Sequence, residues 1–327
     1  MLIFDMDFVK FEAACLAEKR SIVVTHKSSG RQKEFDTRTE FWGRSWKKKD
    51  GGWLAEQNIG RTTPWLPEDF IIEDKQEIIS EALGKRIARN RIDSICAKLE
   101  DNDYRGYIGR GKSFREDIST IIQYKSNRID AIRPLLLNDM AEYLVKRHNC
   151  VFVEGLESDD HVIIDWYKNK KATVVALDKD ARGCEINLFD PDTMDSPLRI
   201  RGLGGLWING KKEVKGQGRM WCYFQCLSAD NSDCYSANSA SDVRWGPKSA
   251  YNLLAPCKTD KECFEALVKG YKTLYPEKKT IKGWRGDEIE IDWLYVFNEN
   301  FQLCRMRRWE GDEFHVKTVL DKLKIEY

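Results

Sequence analysis

The chain has 327 residues, 42% of them hydrophobic and 33% charged, with a formal net charge of +1 from 54 basic and 53 acidic side chains. That is apolar material enough for one large domain or two modest ones. Near-neutrality does not exclude a nucleic-acid partner, because an acidic pocket cancels a basic surface in the sum. Zinc-finger spacing is excluded, since the ten cysteines form no CxxC pair and only four histidines are present. No apolar run reaches membrane-span length. Met1-Leu2-Ile3-Phe4-Asp5 meets an acid too early for a signal peptide. The expectation is a cytoplasmic protein with reduced, mostly buried thiols and no membrane partner.

In chain order, Leu2-Ile3-Phe4 reads as a strand ending in Asp5-Met6-Asp7, and residues 8–19 as a helix. Residues 20–70 read as an insertion. In it Ile22-Val23-Val24-Thr25 enters a hairpin, and 44–49 is rich in bases and tryptophan. The periodicity of 73–91 predicts a helix, whereas 95–99 and 104–108 read as short strands. Further helices are predicted at 114–125, 134–148 and 158–168, with strands at 151–153 and 172–177. The alternation predicts an α/β fold with a central, mostly parallel sheet flanked by helices, whose sites lie beyond the carboxyl ends of the strands. From about 216 the pattern turns helical, with segments at 220–228, 247–254, 263–274 and 293–307. The expected division is an α/β domain over 1–215 and an α-helical region over 216–327.

Four acidic clusters stand at the ends of elements: Asp5 with Asp7, Glu157 with Asp159 and Asp160, Asp178 with Asp180, and Asp230 with Asp233. An aspartate after a strand is commonly a turn former or helix cap. Two adjacent aspartates at one helix start exceed what a cap needs, and four such clusters together are hard to read as four caps. If they converge, so many carboxylates cannot all remain ionised in one cleft without cations. Their oxygens suit hard divalent ions. The number of acids suggests at least two ions, and a pair roughly 4 Å apart activates water and stabilises the leaving oxygen of a phosphodiester. The basic counterpart is Arg115 with Tyr124, Lys125 and Arg128, placed to hold a phosphate opposite the metals. Gly246-Pro247-Lys248-Ser249 reads as a helix start whose backbone N–H groups can bind an anion. The basic stretches 85–91, 105–112 and 211–219 would extend a phosphate-tracking surface.

These motifs, in this order, resemble the 5′-nuclease superfamily of phage 5′–3′ exonucleases, flap endonucleases and the 5′-nuclease domain of bacterial DNA polymerase I. Asp5 is similar to the family's strand-one aspartate. Phe114-Arg115 with Tyr124-Lys125-Ser126-Asn127-Arg128 is similar to its arch segment, here about 110–133. Leu156-Glu157-Ser158-Asp159-Asp160 and Leu177-Asp178-Lys179-Asp180 are similar to its EADD and DKD signatures. Ala229-Asp230-Asn231-Ser232-Asp233 stands where the family has its last aspartate pair, and Gly246 to Ala250 matches the turn of its helix–three-turn–helix motif.

The resemblance implies a PIN-like fold followed by a helix–three-turn–helix DNA-binding region. It implies Mg²⁺-dependent hydrolysis of DNA at 5′ ends or flaps during replication or recombination, Mn²⁺ substituting, with RNA–DNA hybrid as a further substrate and replication proteins as partners. The setting would be a phage-infected or bacterial cytosol. On that analogy Asp5, Glu157, Asp159 and Asp160 serve one metal and Asp178, Asp180, Asp230 and Asp233 the other. Lys125 and Arg128 polarise the phosphate, with Tyr124 and Arg115 beside them. Gly246, Lys248 and Ser249 hold the duplex backbone, with K⁺ at that turn.

Two departures stand out. Tyr107 to Lys112 carries no acid where many members have an aspartate, so that ligand is either missing or supplied elsewhere, for instance by Asp7 or Asp103. Cys234-Tyr235-Ser236-Ala237 replaces the usual NIPG. These departures fit the alternative of a catalytically impaired DNA-binding relative; the retained acids weigh against it. A third reading, a nuclease or phosphatase of another metal-dependent α/β family, does not account for the arch-like segment.

Overall fold

The computed structural model describes residues 1–327. By compactness the chain divides into two units. The first comprises Met1–Val9, Ile92–Ile132 and Leu144–Tyr327, and the second Lys10–Arg91 and Arg133–Tyr143. This division runs differently from a boundary at 215: the helices beyond 216 share a unit with the parallel sheet, and the inserted unit is larger than residues 20–70.

In chain order the elements begin with β1 (Leu2–Asp5) and α1 (Asp7–Leu16), followed by β2 (Glu18–His26), β3 (Gln32–Phe35), α2 (Arg38–Trp42), α3 (Gly52–Asn58) and β4 (Phe70–Ile78). The helix α4 (Glu81–Lys98) leads to β5 (Tyr104–Ser113), α5 (Phe114–Ile118), α6 (Leu137–Arg147), β6 (Cys150–Gly155), α7 (Ser158–Lys168), β7 (Thr173–Val175), β8 (Asn187–Phe189) and β9 (Leu198–Arg199). A hairpin of β10 (Gly205–Ile208) and β11 (Val214–Gln217) precedes α8 (Arg219–Leu227). After it come β12 (Ala229–Asp230), β13 (Tyr235–Ser236), α9 (Pro247–Leu254), α10 (Asp260–Leu274), β14 (Lys279–Lys282), β15 (Glu288–Ile291), α11 (Trp293–Cys304) and α12 (Val316–Leu323).

The first unit is built on a six-stranded sheet of order β6-β5-β1-β7-β8-β9. All pairings are parallel except β8 with β9. Leu2, Ile3 and Phe4 are buried on both faces of the sheet, as a strand covered by helices requires. Gly106 of β5 stands opposite Phe4, and a Cβ there would lie 2.5 Å from Met6 Cγ and 2.7 Å from Cys150 Sγ, so the close approach of these elements needs glycine. Val162, Ile163 and Trp166 of α7 pack with Ile3, Val174 and Leu188 in one apolar core. A second core gathers Phe224 and Leu227 of α8 with Leu267 and Tyr271 of α10 and Phe297 of α11.

The second unit carries an antiparallel sheet of order β3-β2-β4. Ile22, Val24, Phe35, Phe41, Leu54 and Phe70 form its core.

Several predicted elements shift. The 73–91 helix is replaced by β4 and then α4, and the 95–99 strand is the end of α4. Ala88, Ile92, Ile95 and Cys96 of that helix are buried at three- and four-residue steps, so the apolar run is one helical face. The 114–125 helix stops at Ile118, capped at its start by Ser113, which accepts from the Arg115 N–H. No helix is long and apolar enough to cross a membrane.

Candidate metal centre

The acidic residues sit where the parallel strands end. Asp5 closes β1 and Asp7 opens α1. The strand β6 leads through Gly155 to Glu157, the extended residue that caps α7, with Asp159 and Asp160 in the first helical turn. The positive end of the helix dipole favours carboxylates there. Asp178 follows β7 and caps a short turn by accepting from the Asp180 N–H at 2.7 Å. Asp230 ends β12, and Asp233 lies in the loop to β13.

These segments meet. The Ser158 hydroxyl lies 2.8 Å from Asp5 Oδ1 and 2.9 Å from Asp7 Oδ2. One oxygen each of Glu157, Asp159 and Asp160 fall within 4.8 Å of one another, and so do those of Asp180, Asp230 and Asp233. The Tyr124 hydroxyl links the two groups, 3.0 Å from Glu157 Oε2 and 2.9 Å from Asp233 Oδ2. Lys125 Nζ spans the same gap, donating to Glu157 and lying 3.8 Å from Asp233 Oδ1. Arg128 donates to Asp233 Oδ1 at 3.2 Å. Lys125 holds a left-handed backbone, φ 54°, and its N–H donates to the Asp233 carbonyl at 3.1 Å. Non-glycine residues in that region are strained and recur at functional sites. Asp178 is exposed at the mouth, and its charge acts on Asp5, Asp159, Asp180 and Asp233. Leu177, Lys179, Ser232 and the acids Asp178, Asp180, Asp230 and Asp233 line a cleft of about 230 Å³.

The electrostatics follow from this crowding. Burial, then the Asp7 charge, pushes the Asp5 carboxyl up to about 7. Burial and Glu157 hold Asp159 well above the carboxylate range. Burial and Asp178 do the same to Asp180. Asp233 is raised by burial, which outweighs Lys125. Two acids go the other way. Burial would raise Glu157, but Arg115 and Lys125 outweigh it. Burial would raise Asp230, but Lys179, at 2.7 Å, and Ser232 outweigh it.

The donor set fits divalent cations. The two groups offer only carboxylate oxygens, with no thiol or imidazole among them, which is the ligand chemistry of hard ions. Protons or cations are required to hold such acids together. Glu157 with Asp159, and Asp180 with Asp230 and Asp233, are residues that could hold them. Asp160 is fully buried, and its oxygens accept from Arg115 and from the Arg307 N–H at 2.8 Å.

Other expected site residues fall elsewhere. Arg115 was expected to face the phosphate. It is 2% exposed, ion-paired to Asp160 and Glu157, and it donates to the carbonyls of Leu303 and Arg305. Its guanidinium is spent on holding the acids and the end of α11 in place. Asp103, offered as a substitute acid, lies beside Leu2 at the opposite end of β1 from Asp5. Asp7 is in the cluster, and its Oδ1 accepts from the Gly109 N–H at 3.2 Å. Gly246 is the extended N-cap of α9 with Pro247 at the first helical position. Lys248 is exposed and Ser249 half-buried, and no hydrogen bond or ion pair joins these three to the carboxylates. Sequence reasoning missed Ser158, Lys179 as the partner of Asp230, and Gln225, which donates to Asp180. Lys179 was visible inside the Asp178-Lys179-Asp180 run. Gln225 gave no signal in its apolar helix.

No family model matches the chain, and no curated protein matches it. Solved structures do. One is the T5 5′-exonuclease with bound divalent zinc ions, 16% identical, TM-score 0.41, covering 66% of this chain and 76% of that one. A second is the bacteriophage T5 flap endonuclease in a pseudo-enzyme–product complex with DNA and metal ions, 13% identical, TM-score 0.42, covering 73% and 89%. A third is the same T5 protein co-crystallised with metal ions, 13% identical, TM-score 0.39, covering 67% and 79%.

Proposed function

We propose that this chain is a Mg²⁺-dependent 5′-nuclease that hydrolyses phosphodiester bonds at DNA 5′ ends or flaps. The observation that carries the reading is the meeting of acids from distant segments, Asp5 and Asp7 at Ser158 and Asp180 beside Asp230 and Asp233, with Tyr124 and Lys125 bridging Glu157 to Asp233. Acids alone would make a cation site. Acids with a lysine and an arginine among them make a site for a cation-bridged anion, and a phosphodiester is the anion that fits.

Bound divalent ions would supply a nucleophilic water at neutral pH and neutralise the developing charge on the leaving oxygen. Asp5, Glu157, Asp159 and Asp160 serve one position, Asp160 acting through Arg115. Asp178, Asp180, Asp230 and Asp233 serve the other. Asp7, held by Ser158 and the Gly109 N–H, supplies the acid missing from residues 107–112. Lys125 and Arg128 now neutralise Glu157 and Asp233. With divalent ions held by these acids, Lys125 and Arg128 would be free to hold a phosphate oxygen. Tyr124 keeps the two acid groups in register. Gly246, Lys248 and Ser249 would hold the duplex backbone, with K⁺ at that turn; Mn²⁺ substitutes for Mg²⁺, and RNA–DNA hybrid is a further substrate.

A 5′-labelled flap duplex tests the reading. Cleavage to mono- or short oligonucleotides with Mg²⁺ or Mn²⁺, and none in EDTA, is expected. Tight binding without cleavage under any divalent ion would leave the alternative, a catalytically impaired DNA-binding relative.

A further inference from the structure

Residues 27–65 of the second unit play no part in the site above. The segment carries nine basic and five acidic residues in a chain whose net charge is +1. The surrounding ion pairs are Lys19 with Asp36, Arg38 with Asp74 and Lys75 with Glu34. None involves Lys33, Arg44, Lys47, Lys48, Lys49 or Arg61. Instead four of these cations sit on aromatic faces. Lys33 lies 5.2 Å from the Trp53 ring centre, Arg61 3.5 Å from Trp65, Lys49 4.5 Å from Trp42 and Lys47 5.7 Å from Trp46.

The aromatic rings are continuous. Trp42 contacts Phe41 at 5.4 Å, Phe41 contacts Trp53 at 6.1 Å, and Trp53 stacks on Trp65 at 6.3 Å. Trp42, Trp53 and Trp65 are partly buried against the core of the lobe, whereas Trp46 is 72% exposed. A tryptophan as exposed as Trp46, beside a run of lysines without carboxylate partners, calls for a partner. That partner must present negative charge at regular intervals and flat faces between the charges. Single-stranded nucleic acid does both, because bases stack on aromatic rings while phosphates meet lysine and arginine. A duplex hides its base faces and would leave the tryptophans idle.

We infer that the 27–65 lobe is a single-strand nucleic-acid binding surface, with the exposed Trp46 as the stacking platform and Lys47 to Lys49 on the phosphates. The inference stands apart from the nuclease reading. A protein unable to cleave still binds this way.

The test uses the full chain in EDTA, with fluorescence anisotropy on a labelled oligo-dT strand and on a blunt duplex across a salt series. Binding of the strand is expected to exceed that of the duplex. Trp46→Ala should weaken strand binding at least about fivefold, and Trp46→Tyr should largely restore it. The variant with Lys47, Lys48 and Lys49 all changed to Gln should lower the log–log salt slope by about 2, from roughly 0.7 per lost phosphate contact. Wild-type affinity in both variants overturns the inference, as does a preference for duplex. Vesicles of phosphatidylserine and phosphatidylcholine form a further arm. Loss of vesicle binding in the variants with strand binding unchanged would make the lobe a membrane surface and overturn the proposal.

Discussion

Arg115 and Lys125 are both cations against Glu157, yet they do opposite work. Arg115 is fully buried and locked onto Asp160, whereas Lys125 is about a quarter exposed at the cleft. Arg115→Met leaves a buried carboxylate without its partner, and breaking such a pair costs about 3–5 kcal/mol. Urea unfolding should show that loss, and an unchanged midpoint would mean that Asp160 finds another donor. Lys125→Met should fold normally and slow cleavage by about 10²–10³, the scale of one lost electrostatic contact to the reacting group. Its retained metal affinity, read by calorimetry, separates a phosphate-holding role from a metal-site collapse. The acids that close β1 or open α1 and α7 were legible because they stand at the end of a strand or the start of a helix, where sequence pattern is strong. Which cation turned inward was not legible. Arg115 and Arg128 look alike in sequence, and only the packing of α11, 188 residues away, commits Arg115 to the interior.

Among the elements, the strands that carry the acids are the most readable part of the chain. Leu2-Ile3-Phe4-Asp5 is apolar and then acidic, and a helix opening on Ser158-Asp159-Asp160 declares its own start. Misreadings cluster where charge masks periodicity. Phe70–Ile78 contains Glu73, Asp74, Lys75, Gln76 and Glu77, and its strand identity comes from pairing with β2, not from its own alternation. Local pattern cannot anticipate a partner some fifty residues away. The glycines between elements are similar: Gly106 reads as a weak strand residue, yet it is where β5 closes against Met6 and Cys150. Gly106→Ala should cost about 1–3 kcal/mol, the usual penalty for overpacking a filled core. Thermal denaturation measures it. A neutral result would mean that Met6 moves aside, and the spacing of β1 from β5 would then matter less to the placing of Asp5 than the structure suggests.

The molecule as a whole concentrates acid in one cleft while its total charge is almost balanced. That arrangement has a pH signature. The native carboxyls of Asp5, Asp159, Asp180 and Asp233 bind protons more tightly than they do in the unfolded chain, Asp5 up to about 7. Below the unfolded value all are protonated in both states, and nothing is lost. As pH rises above it, the unfolded chain releases protons that the native cleft retains, so stability falls through the native values. Glu157 and Asp230, whose values are lowered, contribute stability above the ordinary carboxylate range and lose it only in acid. Between about pH 5.5 and about pH 8, therefore, the raised carboxyls make the metal-free protein less stable, opposed by His161, whose value burial lowers and which adds stability as pH rises. Divalent ions held by the same oxygens would displace those protons, so binding would tighten and stabilise more as pH rises. Melting curves in EDTA and in millimolar Mg²⁺ at the two pH values should show a larger metal-induced gain in Tm at the higher one. A gain independent of pH would mean that the raised carboxyls are not the ones metal displaces. No gain at either pH would mean that the cleft is neutralised by Lys125, Arg128 and Lys179 alone, the arrangement expected of a protein that has kept the fold and given up the chemistry.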